Sequence, residues 1–407
     1  MLACAGRYVR LVKKELIYVS LYAILFSKLM EATKDETGVD LWTIGFFIFC
    51  IYYCSGNDLK QLFSGIKRGT MEPYYYNRMN KIQQSAYHAI LQGLLAIADS
   101  IQIPRLEAEE LYHVFFLLRL DHPEIFWAPG YKYRYYQDSP NLIFIPEYLF
   151  EKGKIKEHQK AMKARVDKLV RPAKSLPEWE REKYVHDFIC GNVCYDKLKK
   201  PYSHEIIGPL GQGVGVCEGI AKSVKILCDA LGIWCVIVVC GNNPEKGIKY
   251  RHTWNIVKIG GKYYHLDATF DNSLGKEEPR YDYFNLDDKS IFRDHEPLLF
   301  PAPACTDGDH FYYKEKKLSF TKKEEVYKRA LQAAKKGKMF TFHWRGGYLT
   351  KTVLEELLEL IQKAGEEKGK RAKISLNWSQ AVIRFAFTEK IGQAEVVVEE
   401  ANEGELE

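Results

Sequence analysis

Two adjacent glycines, Gly260 and Gly261, separate WNIVKI from KYYHLD, segments rich in β-branched and aromatic residues. A Gly-Gly link between such segments predicts a tight hairpin, because the favoured two-residue turns need positive φ. The hairpin carries a register. With Ile259 opposite Lys262, His252 faces Thr269 if the ladder runs that far, and Asp267 lies on the same face as its diagonal neighbour. Diagonal neighbours are about 7–8 Å apart at the backbone, within reach of a ring and a carboxylate. His265 falls on the face of Asp267, opposite Ile256, and is the second choice for a base. Asp271 and Asn272 are expected in a loop after the strand. Just upstream, WCVIVVC (234–240) is a continuous apolar run and reads as a buried strand.

Before that strand stands GQGVGVCEGIAKSVKILCDALGI, beginning at Gly211. Ile220, Val224, Leu227, Cys228 and Leu231 recur on one helical face. A glycine-rich loop therefore delivers Cys217 to a helix N-terminus, where unpaired N–H groups and the helix dipole favour a thiolate. A nucleophilic cysteine needs that state. Gly215 and Gly219 are expected to leave room for a substrate backbone. Cys228, on the apolar face, reads as core. Cys217, His252 and Asp267 together supply a nucleophile, a base and a residue that orients the base.

Composition narrows the alternatives. The 407 residues carry 59 Lys+Arg against 53 Asp+Glu, with no dense basic run, so a nucleic-acid partner is not expected. The ten cysteines include no CxxC pair, and Cys50/Cys54 and Cys190/Cys194 have helical spacing, so no structural metal or other cofactor is expected. No GxSxG or HExxH occurs, which argues against serine and metal hydrolases. No acidic cluster resembles a calcium site.

Four regions emerge. Residues 1–70 hold two apolar stretches, Leu16–Met30 and Leu41–Cys54, each shorter than the roughly 20 residues of a spanning helix. They read as two buried helices in a cytoplasmic protein. Alternatively, residues 16–54 form a membrane anchor, or the segment is an extension preceding Met71. Residues 71–175 read as a mainly helical domain, with helices over Tyr75–Ser100, around Leu111–Leu118 and over Glu151–Lys174, and a partly strand-like NLIFIPEYLF. Residues 176–300 hold the chemistry and open on a helix at Leu176–Cys194. Residues 301–407 read as a small α/β domain: a helix after a Thr321/Glu324 capping box, MFTFHW, a helix over Thr350–Ala364, KISLNW and VIRFAF. An acidic tail, Glu399–Glu407, follows.

GVCEGIAKSVKILCDALGI, RHTWNIV and YYHLDATFD resemble the transglutaminase-like superfamily, whose members share a papain-like core with Cys, His and Asp in this chain order. The resemblance covers roughly Leu176–Asn285, and YYYNRMNKIQQSAYHAIL is similar to the helical N-terminal part of bacterial members. It implies an α+β fold with a papain-like core. Cys217 is then the nucleophile, His252 the base and Asp267 the orienter. The Cys217 backbone N–H is a natural oxyanion donor, joined by a side chain from Gln212, His204 or Tyr202, with Gln212 preferred. Trp254 and Tyr264 either line a cleft or fill the core. The implied activity is cleavage or exchange of peptide or isopeptide amides through a thioester on Cys217, with hydrolysis favoured and a protein or peptide as substrate. The alternative is a catalytically silent module serving protein–protein interaction. A cover over the cleft by the N-terminal domain is physically reasonable, because an exposed thiolate is readily oxidised.

Overall fold

The computed structural model describes residues 72–246, 248, 251–275, 278–346, 348–389 and 395–398. The apolar stretches within 1–70 and the acidic tail lie outside them. Among the described residues, no helix is long and apolar enough to cross a membrane.

The first helix, α1 (Lys81–Leu95), starts later than the apolar spacing suggests. Asn80 accepts from the backbone N–H groups of Ile82 and Gln83, and the Gln83 side chain returns a bond to Asn80. Such a capping box is worth about 1 kcal/mol and defines the helix start. Helix α2 (Ala108–Asp121) ends in a buried carboxylate. Asp121 accepts from the Tyr75 and Tyr76 backbone N–H groups and from the Tyr87 hydroxyl. This region is less helical than expected. Strands β1 (Ile101–Pro104), β2 (Gly130–Tyr135) and β3 (Asn141–Glu147) form an antiparallel sheet with β3 in the middle. The tyrosine-rich GYKYRY forms β2. Its residues from Lys132 on are exposed, so the period-two signal of a half-buried strand is missing. Helix α3 (Lys152–Val170) follows.

The central region runs through α4 (Glu178–Asn192), the short parallel pair β4 (Cys194–Tyr195) and β5 (Val214–Gly215), and α5 (Cys217–Ala230). Strands β6 (Cys235–Cys240), β7 (His252–Ile259), β8 (Lys262–Leu266) and β9 (Phe284–Leu286) form an antiparallel sheet in that order. All six β6 residues are buried. Gly260 and Gly261 adopt φ of 58° and 85°, and Ile259 pairs with Lys262 as the turn requires. The ladder stops at Leu266. Asp267 leaves the strand to cap helix α6 (Ala268–Leu274), so Asp271 and Asn272 are helical rather than in a loop.

One hydrophobic core extends from Tyr75 through these elements to Tyr313, past the short helices α7 (Asp288–Ile291) and α8 (Tyr312–Glu315). A second core, from Phe320 to Phe385, belongs to the C-terminal region. Here β10 (Ser319–Phe320), α9 (Lys323–Lys336), β11 (Phe340–Trp344), α10 (Lys351–Glu366), β12 (Arg371–Asn377), β13 (Val382–Thr388) and β14 (Glu395–Val398) build a five-stranded sheet, ordered β10-β11-β13-β12-β14, with two helices. Helix α9 does not use the Thr321/Glu324 box. Its N-cap is Lys322, with no side-chain capping bond. Thr350 does cap α10, accepting from the Val353 N–H. The whole is α+β with a papain-like core.

Candidate active site

Cys217 is the first residue of α5, after an extended Val216, and is 6% exposed. An α-helix offers no internal acceptor to its first N–H groups, so the sulfur sits where the dipole favours negative charge. The two glycines around it serve a different purpose from the one expected. A Cβ on Gly219 would lie 2.1 Å from the Ser203 carbonyl oxygen, and one on Gly215 would lie 2.5 Å from Pro209 Cγ. They admit the protein's own chain, not a substrate. The Cys217 Sγ lies 4.0 Å from the carbonyl oxygen of Arg251, which places the thiol beside the start of β7, where His252 begins the strand.

His252 Nε2 is 2.5 Å from Asp267 Oδ2. Nε2 is therefore the ring nitrogen that faces the carboxylate. Asp267 Oδ1 accepts from the Thr269 and Phe270 N–H groups, at 2.8 and 3.0 Å. One carboxylate therefore caps a helix and orients a histidine, which fixes it in both directions. Burial pushes the Asp267 carboxyl up, but His252 and His295 more than reverse this and hold it well below the usual carboxylate range. Trp254 stacks on His252 with ring centroids 5.6 Å apart. Trp254 and Tyr264 are both buried, so they are core.

His295 is the residue the sequence did not offer. Its Nε2 lies 3.0 Å from Asp267 Oδ2 and its Nδ1 lies 2.8 Å from Asp294 Oδ1. Carboxylates only accept, so both ring nitrogens carry protons and His295 is an imidazolium. Burial opposes that charge, and the bonds to Asp267 and Asp294 outweigh it, raising the ring above the usual histidine range. The nitrogen and oxygen atoms of His252, Asp267 and His295 come within 4.8 Å of one another, as a metal site would require. The same spacing holds for His265, Asp288 and Cys305. There Trp254 Nε1–H donates to His265 Nδ1 at 3.0 Å, which puts the ring proton on Nε2, facing Asp288 Oδ1 at 2.8 Å. His265 is thereby a hydrogen-bonded core residue.

A second cysteine–histidine–aspartate group lies behind the first. Cys190 Sγ is 3.5 Å from His186 Nε2, which is 3.0 Å from Asp271 Oδ2. Asp271 Oδ1 also accepts from the Asp282 and Tyr283 N–H groups. Cys190 sits inside α4, not at its start, and burial pushes its thiol up, the reverse of what a nucleophile needs. This group is a fastener between α4, α6 and the segment before β9.

Helix α5 is tied to the N-terminal layer by charge. Arg119 of α2 bonds both Glu205 and Glu218, and Lys222 Nζ lies 2.8 Å from each of the same two carboxylates. Burial pushes the Glu218 carboxyl up, and Lys222 and Arg119 reverse this, leaving it well below the usual range. Arg251 Nη1 donates to Tyr112 Oη of α2 at 2.6 Å. His204 Nδ1 is 3.3 Å from Glu218 Oε2. Gln212 is exposed at the end of the 207–212 turn, and Tyr202 is part-buried in the 201–204 turn. A cleft of about 870 Å³ lies elsewhere, between the core and the C-terminal sheet. Arg293, Lys314, Arg345 and Trp378 are among its lining residues, which do not include Cys217, His252 or Asp267.

A helix-borne cysteine beside an antiparallel sheet that carries the histidine, with the aspartate just past the end of the next strand, is the papain-like arrangement. Residues 163–268 match the model of the transglutaminase-like superfamily, and through that segment the chain carries a transglutaminase-like core. Among solved structures it is similar to a TGase, at 13% identity over 35% of this chain and 44% of that one, with a TM-score of 0.23. It is also similar to a Cytophaga hutchinsonii protein provisionally assigned as a cysteine protease, at 15% identity over 34% of this chain and 62% of that one, with a TM-score of 0.23. A third similarity is to menin, in a structure described as revealing its binding site for the MLL protein. There the identity is 16%, over 70% of this chain and 51% of that one, with a TM-score of 0.24. The chain thus spans less than two thirds of each of these structures. No curated protein matches.

Proposed function

We propose that this protein is a cysteine enzyme that opens peptide or isopeptide amides through a thioester on Cys217, with water as the usual acceptor. The observation that carries the reading is the contact of His252 with a buried, doubly anchored Asp267, beside a cysteine at a helix N-terminus. In this reading the Cys217 thiolate attacks the amide carbonyl carbon, and the C=O electrons move to oxygen. The oxyanion is received by the Cys217 N–H and by Gln212 as second donor. Collapse expels the amine, which takes its proton from the His252 imidazolium, leaving a thioester. Water then attacks the thioester, His252 takes the proton, and carboxylic acid and thiol are released. Asp267 holds the ring and stabilises its charged form throughout. Hydrolysis is favoured because water needs no dedicated second-substrate site.

The test is acylation of the full chain with a p-nitrophenyl ester, followed by intact mass. The expected result is an acyl adduct on Cys217 that decays in water and is absent from Cys217→Ser. An adduct that Cys217→Ser leaves unchanged would sink the proposal. Adding a primary amine then reports the acceptor, since diversion of the acyl group to an amide marks transamidation. The burial of Cys217 favours one other reading, a silent module that binds proteins, for which no adduct forms.

A further inference from the structure

The C-terminal region reaches the triad from behind. Gln380, in the turn between β12 and β13, is 2% exposed. Its Nε2 lies 3.2 Å from the Ser290 carbonyl oxygen and 3.2 Å from Asp294 Oδ2, so one amide can satisfy both acceptors. Asn377, also 2% exposed, places its Nδ2 3.0 Å from Asp282 Oδ2 and 3.4 Å from Tyr283 Oη. The Tyr283 hydroxyl donates to Asp294 Oδ2 at 2.7 Å. On the outer side, Arg293 Nη1 donates to the Ser379 carbonyl at 3.0 Å. The turn therefore grips the segment from Ser290 to Asp294, and His295 is the next residue. A buried amide is costly unless bonded, so an interface serving only adhesion has little use for two of them.

We propose that the C-terminal domain is a working part of the catalytic machinery, in which Gln380 is a positioning residue that acts through Asp294 and His295 on Asp267 and so on His252. The inference rests on the triad reading above. The connection is continuous: Gln380 to Asp294, Asp294 to His295, His295 to Asp267 and Asp267 to His252. Two donors hold Asp294 Oδ2, Tyr283 from the core and Gln380 from the C-terminal domain. With Gln380 gone, the carboxylate can turn about the remaining bond and withdraw Oδ1 from His295. His295 then loses its fixed place beside Asp267. The charged and titratable groups around His295 are Asp267, His252 and, farther off, His265 on the strand side, Asp294 on its own segment and Tyr283 before β9. Trp254 and Phe270 pack on its ring.

The experiment is a double-mutant cycle on the full chain, read as the rate of Cys217 alkylation by iodoacetamide on the low-pH limb of its profile, where the rate falls tenfold per unit. The variants are Gln380→Met, His295→Gln and the pair. Gln380→Met is expected to slow Cys217 about fivefold in the wild-type background and less than twofold beside His295→Gln, because neighbours in one network do not act additively. A purely structural role predicts equal slowing in both backgrounds, and that result, or no slowing at all, overturns the proposal. If Gln380→Met does not fold, Tyr283→Phe removes the other donor to Asp294 and is expected to slow Cys217 in the same way. An unchanged rate there counts equally against the proposal. The wild-type pH profile separates the two claims. An ordinary-thiol profile ends the triad reading and this inference together, whereas a low-pH plateau with an additive cycle ends this inference alone.

Discussion

Glu182 on α4 is buried and accepts from Asn285 Nδ2 at 2.9 Å, and among the described residues it makes no salt bridge, with only the more distant charge of His186 acting on it. Burial pushes its carboxyl up to about 8. An acid whose folded pKa exceeds its unfolded value keeps its full stability below about 4.5, and loses it as pH rises through about 8. At 1.36 kcal/mol per pH unit, the loss is about 3 kcal/mol at pH 7 and about 5 kcal/mol above pH 9. Glu182→Gln keeps the shape and the neutral form and removes the unfolded-state charge that drives the loss. Urea unfolding of the variant and the wild type at pH 5 and pH 8 isolates this group, since every other titration cancels in the difference. The variant is expected to be about 1 kcal/mol more stable at pH 5 and about 4 kcal/mol more stable at pH 8. The same difference at both pH values, or a less stable variant at pH 8, refutes the reasoning.

Three further outcomes follow from the geometry. His295→Gln removes a positive charge whose ring centroid is 5.3 Å from that of His252. At an effective dielectric of about 20 that interaction is at most about 3 kcal/mol, so both limbs of the Cys217 pH–reactivity profile should move upward by about one pH unit, and unmoved limbs would show that the charge is screened. Asp271→Asn removes the closer of the two carboxylates beside buried His186, leaving only Asp187 at 3.5 Å, and should cost about 3 kcal/mol in urea unfolding while sparing the low-pH reactivity of Cys217. Gly219→Ala drives a methyl into the Ser203 carbonyl. Its expected result is displacement of the α5 start and loss of Cys217 reactivity, and a variant with wild-type rates would show that the loop yields.

The parts of this molecule legible in its sequence are those written in local pattern. Gly260-Gly261 between two β-patterned segments set the register of β7 and β8, and the spacing of Ile220, Val224 and Leu227 set the face of α5. The meeting of His252 and Asp267 followed from that register, although the structure brings it about differently, with Asp267 leaving the ladder to cap a helix. The Asp-Ala-Thr-Phe run carried that capping signal, but it was overshadowed by the strand before it. His295 had no such signal. It lies in IFRDHEPLLF, an irregular stretch whose only link to Asp267 is the fold itself. Lys222 and Glu182 were hidden for the opposite reason: charged residues on a helix are expected in solvent, and these are buried. Gly215 and Gly219 were recognised as places of close approach, but the approaching chain is the protein's own.

The most direct test of the central claim is the alkylation rate of each cysteine between pH 5 and pH 9, read peptide by peptide. Comparing one thiol with itself across pH cancels the slow access of a residue that is 6% exposed. An ordinary thiol slows tenfold per unit below a pKa of about 8.5. The account predicts that Cys217 keeps most of its neutral-pH rate at pH 6, that His252→Ala abolishes this plateau, and that Cys190 behaves as an ordinary or slower thiol. A Cys217 that falls tenfold per unit, with His252→Ala making no difference, would contradict the account.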